Sequence, residues 1–358
     1  MSVLKKWIDS DGKFCSWSGE KPSSIQPKLF TVFSSLVNLH DFVLLGERLR
    51  RKGISWTASK FSKPDKERVK SSWAHTTSET SNWWDIPEVG RRNNLLMTGS
   101  PELDHQTYLT SKYLTSDRTI EGLSLGCGAG SREVRWTQVC ERLNLTCCDI
   151  SRERISQARA NAAEAGLADR LSFKVADVNS MELGRKAYDL ILIEGALHHF
   201  FPISSVLEKV AEALRDNGLF ILNDYIGPSR FQWTASQLEG ANRILRMIPE
   251  NYRVRFGGRG IKKRVYRPGR LSMYLNDPSE AAESGLIEQA VLRRFTLLER
   301  KDYGGTLLQL VFKDIAHNFL NEREETKSLL ERIFSIEDEM LKGGAIASDL
   351  ALFVCGNR

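Results

Sequence analysis

An α/β fold built on a Rossmann-like, mostly parallel seven-stranded sheet is what this sequence predicts, and three observations predict it. Short apolar runs alternate with helical segments of roughly 10–15 residues between Glu102 and Leu222. Glycines crowd the end of the first apolar run. Aspartates end the next two. Strands fed by helices in this rhythm imply right-handed crossovers and parallel pairing. A terminal antiparallel hairpin, an N-terminal extension over residues 1–100 that is partly helical, and a C-terminal helical tail over 315–358 complete the expected organisation. The main domain then occupies 101–314.

The elements follow in order. A helix-like segment reaches Leu114, and Ile120–Leu125 reads as a buried strand. Arg132–Leu143 is helical, and Leu145–Cys148 is a short strand closed by Asp149. Ser151 caps an Ala-rich helix that stops at Gly166. Leu171–Val175 and the nearly continuous apolar run Tyr188–Ile193 are further strands. Ile203–Leu214 has helical spacing and stops at the turn Asp216-Asn217-Gly218, ahead of the strand Leu219–Leu222. Phe231–Ile248 is helical. Phe295–Arg300 and Thr306–Phe312, flanking Asp302-Tyr303-Gly304-Gly305, make the expected hairpin. Glu322–Met340 alternates charge with Leu329, Leu330, Ile333, Phe334 and Ile336, an amphipathic helix that packs on the domain or joins a homodimer.

Composition narrows the class. With 41% hydrophobic and 27% charged residues in 358, the chain is globular, and no stretch approaches the roughly 20 apolar residues that span a bilayer. Asp9, Asp11 and Lys13 follow Lys5 and Lys6 before any apolar run, which argues against a signal peptide. Cys15, Cys127, Cys140, Cys147, Cys148 and Cys355 form no CxxC pair and read as reduced thiols of a cytoplasmic protein. No metal site is expected. Residues 1–100 hold 16 Lys and Arg against 10 Asp and Glu, which accounts for the whole net charge of +6. The stretch 47–70 is the densest part, and Trp56, Trp73, Trp83 and Trp84 suggest packing of the extension onto the core. A second basic cluster at 251–276 carries eight cations and no acid.

The sharpest local signal is Leu123-Ser124-Leu125-Gly126-Cys127-Gly128-Ala129-Gly130 at a strand-to-helix junction. Glycines let the chain turn tightly and let a ligand approach without a Cβ in the way. A dinucleotide fingerprint would need glycine at 131, where this chain has Ser131. The G-x-G-x-G spacing suits a ligand without a pyrophosphate. Asp149 ends the second strand, where a carboxylate can accept two ribose hydroxyls, and Asp177 ends the third, placed for an exocyclic adenine amine. All lie at carboxyl ends of strands, the edge where open α/β sheets bind ligands.

Here the chain resembles the class I S-adenosylmethionine (SAM)-dependent methyltransferases across about residues 105–225. Gly126, Cys127, Gly128 and Gly130 match that family's first motif, Asp149 its ribose-binding acid and Asp177 its adenine-contacting acid. Glu194-Gly195-Ala196-Leu197-His198-His199-Phe200 resembles the segment after the fourth strand in small-molecule members. Leu214-Arg215-Asp216-Asn217-Gly218 stands where the family has its last motif. The resemblance implies SAM as cofactor, held by these residues together with Ile150, Val178 and Glu194. Ser124 departs from the family, which has an acid two residues before the first glycine, and Asn217 replaces a glycine.

Methyl transfer needs an aligned nucleophile and, for a hydroxyl, removal of a proton. His198 and His199 are the candidate bases, set against a role in packing the next helix. Tyr225 and Arg230 are candidate acceptor-binding residues. The basic cluster at 250–276 sits where a substrate insertion is expected and favours an anionic small molecule or glycan intermediate, methylated at oxygen. RNA is a competing acceptor because of the two basic clusters, and a non-catalytic SAM-binding scaffold is a third reading.

Overall fold

The computed structural model describes residues 81–358 apart from Arg259. The basic stretch 47–70, Trp56, Trp73 and most of the expected extension lie outside the described residues. Helix α1 (Pro87–Thr98) starts on Pro87, whose missing N–H costs nothing in the first turn, and ends at Gly99 in the left-handed region. Trp83, just before it, packs against an apolar cluster, whereas Trp84 is exposed. In α2 (His105–Tyr113), the Asp104 carboxylate caps the first turn by accepting the Thr107 amide at 2.7 Å.

Then come β1 (Ile120–Leu125), α3 (Ser131–Val139), β2 (Leu143–Asp149), α4 (Arg152–Glu164), β3 (Leu171–Val175) and β4 (Tyr188–Glu194). They are followed by α5 (Ile203–Ala213), β5 (Leu214–Tyr225), α6 (Ala235–Met247), α7 (Arg270–Asn276) and α8 (Ile287–Arg294). The last elements are β6 (Thr296–Gly304), α9 (Leu308–Phe312), α10 (Glu324–Lys342) and β7 (Leu350–Gly356). The seven strands lie in the order β3-β2-β1-β4-β5-β7-β6. All pairs from β3 to β5 are parallel, and β7 is antiparallel to both β5 and β6. The chain winds outward from β1 to β3 and then crosses back to β4, so the switch point lies between β1 and β4. Ligands of such sheets bind in the crevice there.

One face of the sheet is covered by α5 and α8. The buried residues of α5 (Ile203, Val206, Leu207, Val210, Ala213) meet Ile193, Phe220 and Phe353 from the strands. Each large aliphatic side chain so buried contributes about 1.5–3 kcal/mol. The other face packs Trp136, Ile155 and Ala158 from α3 and α4 onto Cys147, Leu192 and Val354. A third apolar cluster lies beside the sheet and joins Ile86 and Val89 to α6, α9 and α10.

Three expectations need correction. The hairpin does not form. Thr296–Gly304 is a strand, but Leu308–Phe312 is helical, and the partner strand comes from Leu350–Gly356. A five-residue apolar run has no decisive periodicity, and its caps settle it. Glu337 accepts the Leu307 and Leu308 amides at 2.7 and 3.3 Å, while Lys262 donates to the Leu310, Val311 and Lys313 carbonyls at 2.7–2.9 Å. An anion at the amino end and a cation at the carboxyl end suit the helix dipole. Because the partner strand is Leu350–Gly356, the tail over 315–358 is helical only in part. Its last strand is inserted into the sheet. The expected turn at Asp216-Asn217-Gly218 is instead absorbed into β5, with a register shift opposite Tyr188 and Leu190.

Candidate active site

The first half of the site grows out of three strand ends. Gly126, Gly128 and Gly130 all have positive φ (77°, 55° and 76°). Gly126 and Cys127 donate their amides to the Cys148 carbonyl, tying the loop to β2. The Gly128 amide then donates to Asp149 Oδ2 at 2.9 Å, and the Ser151 amide to Asp149 Oδ1 at 2.8 Å. Each oxygen of that half-buried carboxylate thus keeps a lone pair for a further donor. Asp177 is also half-buried, and its Oδ1 accepts the Asn179 amide at 3.0 Å. Ile150 lies beside Asp149 and is partly open, whereas Val178 is buried. A Cβ added at Gly126 would stand 2.5 Å from Ala196 Cβ and 3.2 Å from the Phe200 ring. The glycine loop therefore rests directly on the segment that follows β4.

Glu194 and Ser124 look inward. Glu194 accepts the Trp136 indole N–H at 2.5 Å, bonds His105 Nε2 at 3.1 Å and has Arg132 Nε at 3.8 Å. Burial opposes its charge, but His105, Arg132 and Trp136 outweigh burial and hold the carboxyl down to about 2. Its side chain is buried among these three partners. Ser124 Oγ donates to Glu133 Oε1 at 2.7 Å, so α3 brings a carboxyl beside the end of β1. Burial pushes Glu133 up to about 7.

The second half gathers around the turn after β4. His198 Nδ1 bonds Asp224 Oδ1, while Asp224 Oδ2 accepts the Ala196 and Leu197 amides at 3.1 and 2.6 Å. Burial alone would lower the His198 pKa, yet Asp224 and Glu280 raise it above the ordinary value. Burial and the neighbouring His198 push His199 well below it. Tyr225 is buried, with its ring edge-on to His198 at 6.2 Å and to Phe231 at 5.0 Å, and its hydroxyl donates to the Pro228 carbonyl at 3.2 Å. Phe231 stacks on Trp233 at 5.7 Å.

Arg230 and Phe231 both hold positive φ (57° and 50°), a strained pair for residues with a Cβ. The Arg230 backbone amide on the Ala281 carbonyl at 2.6 Å and the Gln232 side-chain Nε2 on the Arg230 carbonyl at 3.0 Å keep the turn in place. Arg230 Nη1 also donates to the Glu280 carbonyl at 3.3 Å.

The structure thus brings His198, His199, Tyr225 and Arg230 together, and it adds Asp224 and Glu280, which sequence reasoning missed. Asp224 had a signal, a carboxylate at the end of a buried strand. Glu280 had none, since it arrives from a distant loop. Of the eight cations in 251–276, Lys262 is buried on carbonyls, Arg253 faces Glu250 at 3.7 Å, and Arg267 Nε donates to the Trp233 carbonyl at 2.7 Å.

A Rossmann-like sheet with its reversed strand, a glycine loop and two strand-end aspartates defines the class I methyltransferase architecture. Residues 116–258 match the family model described as a methyltransferase domain. The chain is similar to an uncharacterized methyltransferase, YcgJ, of Bacillus subtilis (strain 168), with 27% identity over 107 residues, covering 30% of this chain and 41% of that one. It is also similar to methyltransferase GfsG of Streptomyces halstedii, with 26% identity over 104 residues, covering 29% and 37%. The matches span about two-fifths of the length of these relatives. Among solved structures, geranyl diphosphate C-methyltransferase from Streptomyces coelicolor A3(2) aligns at 11% identity and a TM-score of 0.47, covering 83% of this chain and 99% of that one. The residues present suit the cofactor. Two carboxylates stand at successive strand ends, and the loop beside Asp149 has no side chain at Gly126 or Gly128. Among the described residues, no helix is long and apolar enough to cross a membrane.

Proposed function

We propose that this protein transfers the methyl group of SAM to an oxygen of a small-molecule acceptor. Bound SAM would supply a methyl group on a positively charged sulfur. The chain's own residues do the rest. Asp149 takes the ribose hydroxyls, Asp177 the adenine amine, and the Gly126–Gly130 loop with Ile150 and Val178 encloses the nucleoside. The acceptor lies against Tyr225, Phe231 and Arg230, with its hydroxyl over His198, His199 and Glu280, where its proton is drawn off.

The observation that carries this reading is the contact of Gly126 with Ala196, because it sets the cofactor loop against the turn that bears His198. An in-line displacement needs the reacting atoms about 3–3.5 Å apart, and the adjacency of these two loops supports such an approach. Lys263, Arg264 and Arg270, exposed in the basic stretch, support an anionic group on the acceptor, such as a carboxylate or phosphate. RNA is less favoured, because part of that cluster is committed to the fold.

Isothermal titration with SAM tests the proposal. Wild type should bind at micromolar concentration, and Asp149→Ala should weaken binding by about 100-fold, the loss of two hydrogen bonds to a charged group at about 1.5 kcal/mol each. A folded wild type that does not bind SAM would sink it.

A further inference from the structure

Glu280 presents its two carboxylate oxygens to two different rings. Oε1 lies 3.8 Å from His198 Nε2, and Oε2 lies 4.0 Å from His199 Nδ1. Both separations exceed a hydrogen bond, so the three side chains converge without closing on one another. One ligand atom from each lies within 4.8 Å of the others. Around a four-coordinate ion with bonds of about 2.1 Å, neighbouring ligand atoms stand about 3.4 Å apart. Side-chain shifts of about 1 Å therefore bring these three atoms to coordination distance.

The surroundings are arranged as a metal ligand needs. Asp224 holds His198 Nδ1, which orients the ring with Nε2 toward Glu280. A carboxylate behind a histidine in this way fixes the tautomer and raises ligand basicity. Asp224 is itself fixed by the Ala196, Leu197 and Tyr225 amides at 3.1, 2.6 and 2.6 Å. The rings of His198 and His199 lie 4.0 Å apart at 44° on one short 3-10 turn, so both face the same space. Glu280 comes from the loop after α7, and the Arg230 guanidinium on its carbonyl helps hold that loop. One oxygen of neighbouring Asp277, Oδ1, accepts the Ser279 amide at 2.9 Å and hydroxyl at 2.6 Å.

We propose that His198 Nε2, His199 and Glu280 bind one divalent cation of the borderline class, Zn²⁺ or Co²⁺, leaving open positions for the acceptor. Two imidazoles and a carboxylate favour such ions over Mg²⁺, which prefers oxygen ligands. The role assigned to the ion rests on the transferase reading above. It holds the acceptor hydroxyl and lowers its pKa, so the proton passes to water. The C–O bond then forms as the C–S bond breaks, and sulfur keeps the electron pair.

The test uses tag-free, metal-stripped full-length protein, titrated with Co²⁺ and followed by its visible absorption, with Zn²⁺ competition by calorimetry. SAM binding is measured separately on the same samples. Wild type should take up one equivalent at micromolar affinity. Glu280→Gln and His199→Ala should each weaken uptake at least 10-fold while leaving SAM affinity within twofold. Asp224→Asn should weaken it by about 10–100-fold. Unchanged SAM affinity also shows that the variants are folded. Wild type that binds SAM but not Co²⁺ or Zn²⁺ overturns the metal site and leaves the transferase reading intact. Uptake unaffected by Glu280→Gln and His199→Ala overturns it as well, because the ion then sits elsewhere. Metal uptake without SAM binding would keep the site and remove the transferase role.

Discussion

The strand ends around Gly126, Asp149 and Asp177 and the acceptor side around His198, Tyr225 and Glu280 are built in opposite ways. On the first, every functional group stands within a few residues of a parallel strand, and neighbours in the sheet are neighbours in the chain. On the second, His198 meets Asp224 across two strands and Glu280 across several elements, and the wall behind them is a separate cluster of α6, α9 and α10. The lesson is that a nucleotide edge is a property of strand, turn and helix taken locally, whereas an acceptor pocket is a property of how remote segments are clamped.

Breaking the clamp should give the largest effect. Arg92 Nη2 lies 3.0 Å from Glu337 Oε2, both are buried, and Glu337 also caps α9. Glu337→Ala leaves Arg92 without that partner and is expected to cost about 3–5 kcal/mol in urea unfolding. The SAM affinity of the folded fraction should not change. If it collapses too, the two regions are one unit and the contrast between them fails.

Gly126→Ala strikes the other region. The left-handed conformation costs about 1–2 kcal/mol for a residue with a Cβ, and the 2.5 Å approach to Ala196 must also be relieved. Calorimetry should show SAM affinity down by about 100-fold against a modest drop in melting temperature, the reverse of Glu337→Ala.

A pH series sharpens the contrast further. Burial pushes Asp349 up to about 8, with Glu337 adding to the rise and hydrogen bonds from Gln237 and Gln309 opposing it. The folded chain therefore keeps this proton above pH 3.8, where an ordinary Asp loses it. Its contribution to stability is full below that value and fades as pH rises toward 8. Asp349→Asn should flatten that slope in urea midpoints taken from pH 5 to 8, leaving a residue from Glu337, which is shifted the same way. The mildest test is Tyr225→Phe. Loss of one hydrogen bond to Pro228 should cost about 1 kcal/mol in thermal unfolding, with SAM affinity intact.

Legibility follows the same divide. The sheet from β1 to β5 could be read because apolar runs, Ser151 and Gly166 announce their own boundaries. Thr306–Phe312 could not, since Glu337 and Lys262, which make it helical, lie far away in sequence. Ser124 was legible as a departure, but its partner Glu133 was not, because that carboxyl arrives from α3. Glu194 ends its strand as expected, but its partners His105 from α2 and Trp136 from α3 are reported by no local pattern. His198 and His199 were legible as a pair, but what they face was not.

The placement of β7 has a consequence in time. Its residues separate β5 from β6, yet they follow Tyr225 by roughly 125 positions. At about 5–20 residues per second, a growing chain holds the edge of β5 bare for about 6–25 s. That edge includes Phe220 and Leu222, an invitation to pair with a stranger. Parallel strands and glycine loop can assemble on the ribosome, but the nascent sheet is sealed only once Leu350–Gly356 has been made.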